Sequence, residues 1–142
     1  LYMKGDIMKV IVKEVGKEFV VRDINCKYRN ECGDLIEKNI TKEYVTIKDK
    51  ELYMVVDEDG INKNLSLNFL LLTNNPFYPI QIIAGDVVFC RIKWENPWEK
   101  ELYDFELDDI TEEDLKEVAE LLDVKYQREL ATQYFEINLQ KR

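Results

Sequence analysis

Residues 53–72 read YMVVDEDGINKNLSLNFLLL, an acidic tetrapeptide between two apolar runs. The reading of DEDG decides whether this region is a metal loop or a strand that ends in a turn. A calcium loop of the EF-hand type needs oxygen ligands at positions 1, 3 and 5, glycine at 6 and glutamate at 12. Counted from Asp57, the fifth position is Ile61, the glycine arrives early as Gly60, and the twelfth is Asn68. The pattern therefore fails three times. Asp59-Gly60 is instead a strong turn pair, because Asp tolerates the left-handed region and Gly adopts positive φ at little cost. The tetrapeptide is a turn, and no metal or other cofactor is expected. The run at 65–72 is too short for periodicity to choose between helix and strand.

Working outward, residues 7–15 (IMKVIVKEV) alternate Met8, Val10 and Val12 against Lys9 and Lys13, the period of a half-buried strand. Gly16 marks a turn into a second strand at 19–24, so a hairpin is expected. The β-branched and aromatic runs at 44–47 and 52–56 flank Asp49-Lys50 as a second hairpin. Residues 31–40 (ECGDLIEKNI) fit a short helix with Leu35, Ile36 and Ile40 on one side. Beyond Pro76 and Pro79, residues 80–92 (IQIIAGDVVFCRI) read as strand with a bulge or bend at Ala84-Gly85-Asp86. Residues 103–109 (YDFELDD) read as strand or extended chain. Thr111 and Asp114 then form a capping box, and Leu115, Val118, Ala119 and Leu122 recur at one-faced helical spacing. Tyr126, Leu130, Tyr134 and Ile137 repeat the signal more weakly. Strands first and helices last predict an α+β fold: a mostly antiparallel sheet built from hairpins, with two C-terminal helices. We expect one domain over 1–142, with a sheet-rich core at 8–110 and helices at 111–140, since this length suits a single core.

Composition narrows the chemistry. The chain has no histidine, which removes Ser–His and Cys–His nucleophile activation, imidazole metal sites and an unperturbed base near neutral pH. Cys26, Cys32 and Cys90 are odd in number and form no C-x-x-C pair, which favours a reducing, cytoplasmic compartment. With no signal peptide and no apolar run of about 18 residues, neither secretion nor membrane insertion is expected. The chain opens on Leu1, which makes Met3 or Met8 the candidate natural start, or Leu1 the continuation of an upstream piece. Net charge is −9, and residues 95–114 hold ten acids against one lysine, so the rest of the chain is balanced. A duplex-binding module would carry a basic stripe, so direct nucleic-acid binding is not expected.

Three segments, MKVIVKEV near the start, LYMVVDEDGINKNLSLN in the middle and IAGDVVFCRI after it, resemble a family of small proteins from bacteriophages and bacterial mobile elements. It is filed as domain of unknown function family 3846. The resemblance covers residues 8–111, and the VVDE-x-G stretch, Asn68 and Gly85-Asp86 are its most specific parts. It implies a cytoplasmic setting in an infected or element-bearing bacterium, and it brings no activity, cofactor or catalytic residue. The acidic segment and the C-terminal helices are expected to lie beyond it.

The candidate sites follow. Asp104, Glu106 and Asp108 alternate with apolar residues, so on a strand they form a carboxylate row about 6.6–6.8 Å apart. Extended by Asp109, Glu112 and Glu113, that row could imitate a phosphate line and occupy a basic, nucleic-acid-binding host protein. The plainer alternative is a solvated sheet face and acids at a helix N-terminus, where the macrodipole favours negative charge. Trp94 and Trp98 are either aromatic anchors or indoles closing the sheet. Cys26, beside Lys27, reads as a structural thiol. Asp57, Asn68 and Asp86 are the candidate polar groups of a small-ligand pocket, although asparagines here also suit caps and turns. The leading expectation is a non-enzymatic accessory protein that binds an unidentified protein. An acidic decoy and a small-ligand-binding domain are the alternatives. Edge strands and the final amphipathic segment leave homo-oligomerisation open.

Overall fold

The strand Val87–Ile92 (VVFCRI) is buried along nearly its whole length, and the sheet is built around it. The computed structural model describes residues 7–35, 42–47, 51–93 and 106–140. In chain order these form β1 (Ile7–Lys13), β2 (Val20–Asn25), a 3-10 helix (Arg29–Leu35), β3 (Lys42–Thr46), β4 (Leu52–Asp57), β5 (Leu67–Leu72), β6 (Ile80–Ala84), β7 (Val87–Ile92), β8 (Leu107–Asp108), α1 (Glu112–Leu121) and α2 (Val124–Gln140). The main sheet runs β2-β1-β7-β4-β3, and all its pairings are antiparallel. On one side of β7, β1 pairs with Val87–Phe89, and the short β8 takes over opposite Arg91 and Ile92. The α+β class with two C-terminal helices is the one the sequence predicts.

Three layers of apolar contact hold the molecule. On one face of the main sheet Ile11, Leu52, Met54, Val87 and Phe89 pack against Phe69 and Ile83 of the β5–β6 hairpin and Val118 of α1. On the other face Val10, Val12, Val55, Val88 and Cys90 close over Cys32 of the 3-10 helix and Leu107 of β8. The hairpin's outer face, Leu70 and Ile80, is covered by Leu130 of α2.

That layering explains the ambiguity of residues 65–72. β5 is apolar on both faces because Phe69 meets the main sheet while Leu70 meets α2, so neither period emerges. The side chain of Gln127 fixes α2 on this strand. Its Oε1 accepts from Leu70 N–H at 2.8 Å and its Nε2 donates to Leu70 carbonyl at 3.0 Å and Leu121 carbonyl at 2.7 Å.

Two elements differ from expectation. Residues 80–92 are two strands in two sheets, not one strand with a bulge. The switch is at Gly85, which has φ +84° and donates its N–H to Ser66 carbonyl at 2.8 Å. The positive φ requires glycine, while a Cβ there would meet only Leu65 Cδ1, at 2.8 Å, the tip of an exposed side chain that can turn aside. The helix expected at 31–40 is a tighter 3-10 helix that starts earlier, at Arg29. Glu31 Oε1 accepts from the N–H groups of Lys27 and Tyr28 (3.2 and 3.0 Å), which pins its start, and 36–41 lie outside the described residues. The Asp49-Lys50 turn also lies outside them.

Candidate functional site

The capping box that opens α1 is present as read. Thr111 Oγ1 accepts from Asp114 N–H at 3.1 Å, and Asp114 Oδ2 accepts from Thr111 N–H at 2.9 Å. Asp114 is also buried and forms a two-pronged pair with Arg91 of β7, Nε to Oδ2 at 2.6 Å and Nη2 to Oδ1. The remaining guanidinium nitrogen, Nη1, donates to Glu51 Oε2 at 2.8 Å. Burial alone would push the Asp114 carboxyl up. The Arg91 bonds and the Thr111 N–H outweigh it and hold that carboxyl below its ordinary value. Asp114 therefore anchors the helix to the sheet.

Around this anchor the other acids reach the surface. Asp108, Asp109, Glu112 and Glu113 are exposed in succession from β8 into α1. Asp108 Oδ1 accepts from Asp109 N–H, and Asp109 Oδ1 accepts from Lys9 N–H, both at 2.9 Å. Glu106 is half-buried, with Lys27 Nζ 3.7 Å from its carboxylate. Of the residues proposed for the carboxylate row, Asp104 lies outside the described residues, as do Trp94 and Trp98.

Asp57, Asn68 and Asp86 all flank the Ala84–Asp86 connection, and each is engaged with the chain. Asp57 is buried; Oδ1 accepts from Asp59 N–H at 2.9 Å and Oδ2 from Lys63 Nζ at 2.8 Å, which forms the turn read at DEDG. Gly60 is needed in that turn, since a Cβ would stand 2.9 Å from Ala84 carbonyl oxygen. Asn68 Nδ2 donates to the carbonyls of Lys13 and Gly85, both at 2.9 Å, while its Oδ1 accepts from Lys13 Nζ at 2.9 Å. Asp86 Oδ1 accepts from Val15 N–H at 2.8 Å. Burial pushes the Lys13 ammonium down, against the pull of Asp86. Among the described residues no three Cys, Asp or Glu side chains gather as metal ligands would. The space beside Asp57 is only about 40 Å³.

A cavity of about 350 Å³ lies beside Asn68, lined also by Lys13, Phe69, Leu122 and Gln127; two further concavities lie away from these residues. A groove of about 970 Å³ runs between the end of β3 and the residue after it (Val45, Thr46, Ile47), the end of β5 and the residue after it (Leu71, Leu72, Thr73) and α1 (including Glu117 and Glu120). Glu117 Oε2 is buried there without a hydrogen-bond partner. A second cleft, about 240 Å³, is lined by Ile61, Tyr78, Ile80, Ile82, Tyr134 and Ile137. Ile61 and Tyr78 are 62% and 69% exposed at its rim. Neither concavity is readable in the sequence, because each joins elements distant along the chain. The exposed aromatic pair Phe77-Tyr78 between two prolines is the one local signal that could have pointed to the cleft.

Among the described residues no helix is long and apolar enough to cross a membrane. Comparison with curated proteins and with solved structures found no match. A family model described as Domain of unknown function (DUF3846) matches residues 8–122. The match runs through the acidic segment and α1, further than the resemblance in the sequence reaches, and leaves α2 outside. Spanning most of the chain, from β1 to the end of the first helix, it shows that this protein belongs to the DUF3846 family.

Proposed function

We propose that the protein is a non-enzymatic accessory factor of a bacteriophage or mobile element that works in the cytoplasm by binding another protein. The observation that carries this reading is the apolar cleft beside α2. Ile61, Phe77 and Tyr78 stand exposed on or next to a concave surface lined by Ile80, Ile82, Tyr134 and Ile137. Contiguous apolar surface of this kind marks sites of association. Among the described residues the buried carboxylates, Asp57 and Asp114, are bonded to Lys63 and Arg91, an arrangement that holds structure. The phage or mobile-element setting is what the family resemblance implies.

The test is affinity capture from bacterial lysate with the wild type and with Ile61→Asp/Tyr78→Asp, both confirmed folded by circular dichroism. Loss of a specific captured protein in the double variant supports the reading. Equal capture by both, or a turnover abolished by neutralising one carboxylate, overturns it.

A second reading has its own observation, the exposed run Asp108, Asp109, Glu112 and Glu113. Here the patch is a decoy for a basic, nucleic-acid-binding defence or restriction protein. Asp108→Lys/Glu112→Lys should then abolish inhibition of such a protein while the fold survives. Unchanged inhibition by the folded variant dismisses the decoy.

A further inference from the structure

The groove between β3, β5 and α1 is bordered by two strand edges, and the hydrogen-bond phase of each strand tells which backbone groups face it. Ile47 N–H donates to Leu52 carbonyl at 2.9 Å, so Ile47 points its backbone polar groups toward β4. Backbone direction alternates along an antiparallel strand, which turns the N–H and C=O of Thr46 outward. On β5, Leu70 spends both backbone groups on Gln127, and Thr73 N–H donates to Pro79 carbonyl at 2.7 Å. The same alternation turns the N–H and C=O of Leu72 outward. Thr46 and Leu72 both line the groove, and both are exposed.

A third unmet group belongs to the same lining. Glu117, on α1, buries Oε2 with no hydrogen-bond partner. Among the described residues the lining also carries Glu120 and Asp123 against Lys116, so the charge beside Glu117 is net negative. The apolar parts of the lining come from Val45, Ile47, Leu71 and Leu121.

We propose that this groove binds an extended segment of a partner protein, which adds a strand to the β3 edge at Thr46 and places a lysine or arginine side chain against Glu117. The main-chain bonds of strand addition give affinity without regard to sequence, and pockets for alternate side chains give the choice of peptide. A cation is the strongest partner for Glu117, since a charge-assisted bond there meets an acceptor already removed from water. The proposal goes beyond the reading carried by the cleft beside α2: it adds a second binding surface and stands on the groove alone.

The test uses the full chain and two labelled peptides of alternating Thr and Val, one with a central lysine and one with glutamate in its place. Binding is followed by fluorescence polarisation and by amide shifts in ¹H–¹⁵N spectra. The lysine peptide should move the Thr46 and Leu72 amides and bind about tenfold or more tighter than the glutamate peptide, the effect of one charge-assisted bond. Glu117→Gln should erase most of that preference. Thr46→Pro removes an N–H that serves no ladder bond, so the fold survives (read from the same spectra) and binding of the lysine peptide is lost. No shift at Thr46 or Leu72 at millimolar peptide, shifts confined to residues 108–113, or equal affinity for both peptides would overturn the proposal. Lysate capture that depends on Ile61 and Tyr78 but is indifferent to Glu117→Gln and Thr46→Pro would sink the groove and leave the binding function standing. Peptide binding at the groove without any captured partner would do the reverse.

Discussion

Asp114 serves two elements with one carboxylate, closing the capping box on Thr111 while gripping Arg91 of β7. Asp114→Asn keeps the shape but removes the charge that a nearly buried guanidinium faces. It should lower unfolding free energy by about 3 kcal/mol, read by urea denaturation at neutral pH, since breaking a buried pair strands its partner. The pH dependence follows from the depressed native pKa. The carboxylate's contribution is held in full above its ordinary value of 3.8 and lost as pH falls from there through the lower native value. The gap between wild type and Asp114→Asn should therefore narrow on acidification; a gap that widens would contradict the pairing. Gly85→Ala should cost about 1–2 kcal/mol in the same assay, from its positive φ. The Thr111–Asp114 box is legible in sequence because its partners are three residues apart. Arg91 and Glu51 are not, because the fold alone joins groups 23 and 40 positions apart.

At the scale of elements, legibility follows how many sides a segment buries. β1 alternates in sequence but is buried on both faces at its centre, since Ile11 shares the face of Lys9 and Lys13 and packs on the β5–β6 hairpin while Lys13 bonds Asn68; its hairpin with β2 turns at Gly16 as read. α1 shows one apolar stripe because one face packs on the sheet. β5, β6 and β7 hide their period because they lie between layers, and the break at Gly85 looks like a bulge until β6 is seen to pair with β5. Thr111→Ala should loosen α1 by about 1 kcal/mol, the usual worth of an N-cap, measurable as a lower urea midpoint with unchanged slope. Truncation after Leu122 removes the cover over Leu70 and Ile80. The shortened protein should bind a hydrophobic dye such as ANS and unfold less cooperatively; full cooperativity without dye binding would show that α2 is not needed to close this face.

For the molecule as a whole, the surplus charge of residues 95–114 is easily counted in sequence, but where it stands is not. Among the described residues the structure sets Asp108, Asp109, Glu112 and Glu113 on the surface, half-buries Glu106 and withdraws Asp114 into the interior as an anchor. If the exposed part captures a basic partner, capture should weaken steeply between low and high salt, because screening acts within about 10 Å at 0.1 M. Capture through the apolar cleft should be almost salt-independent. A titration of capture against sodium chloride therefore separates the two surfaces. The cleft and the groove were not foreseeable, since each is assembled from chain segments with no local signature.

The amide of Gln127 has one further implication, for chemical ageing. It sits at the joint between α2 and β5, offering an acceptor to one backbone group and donors to two others. Hydrolysis of that single amide to a carboxylate would confront the carbonyl oxygens of Leu70 and Leu121 with an anion in place of a donor. The C-terminal helix would then be repelled from the strand it covers.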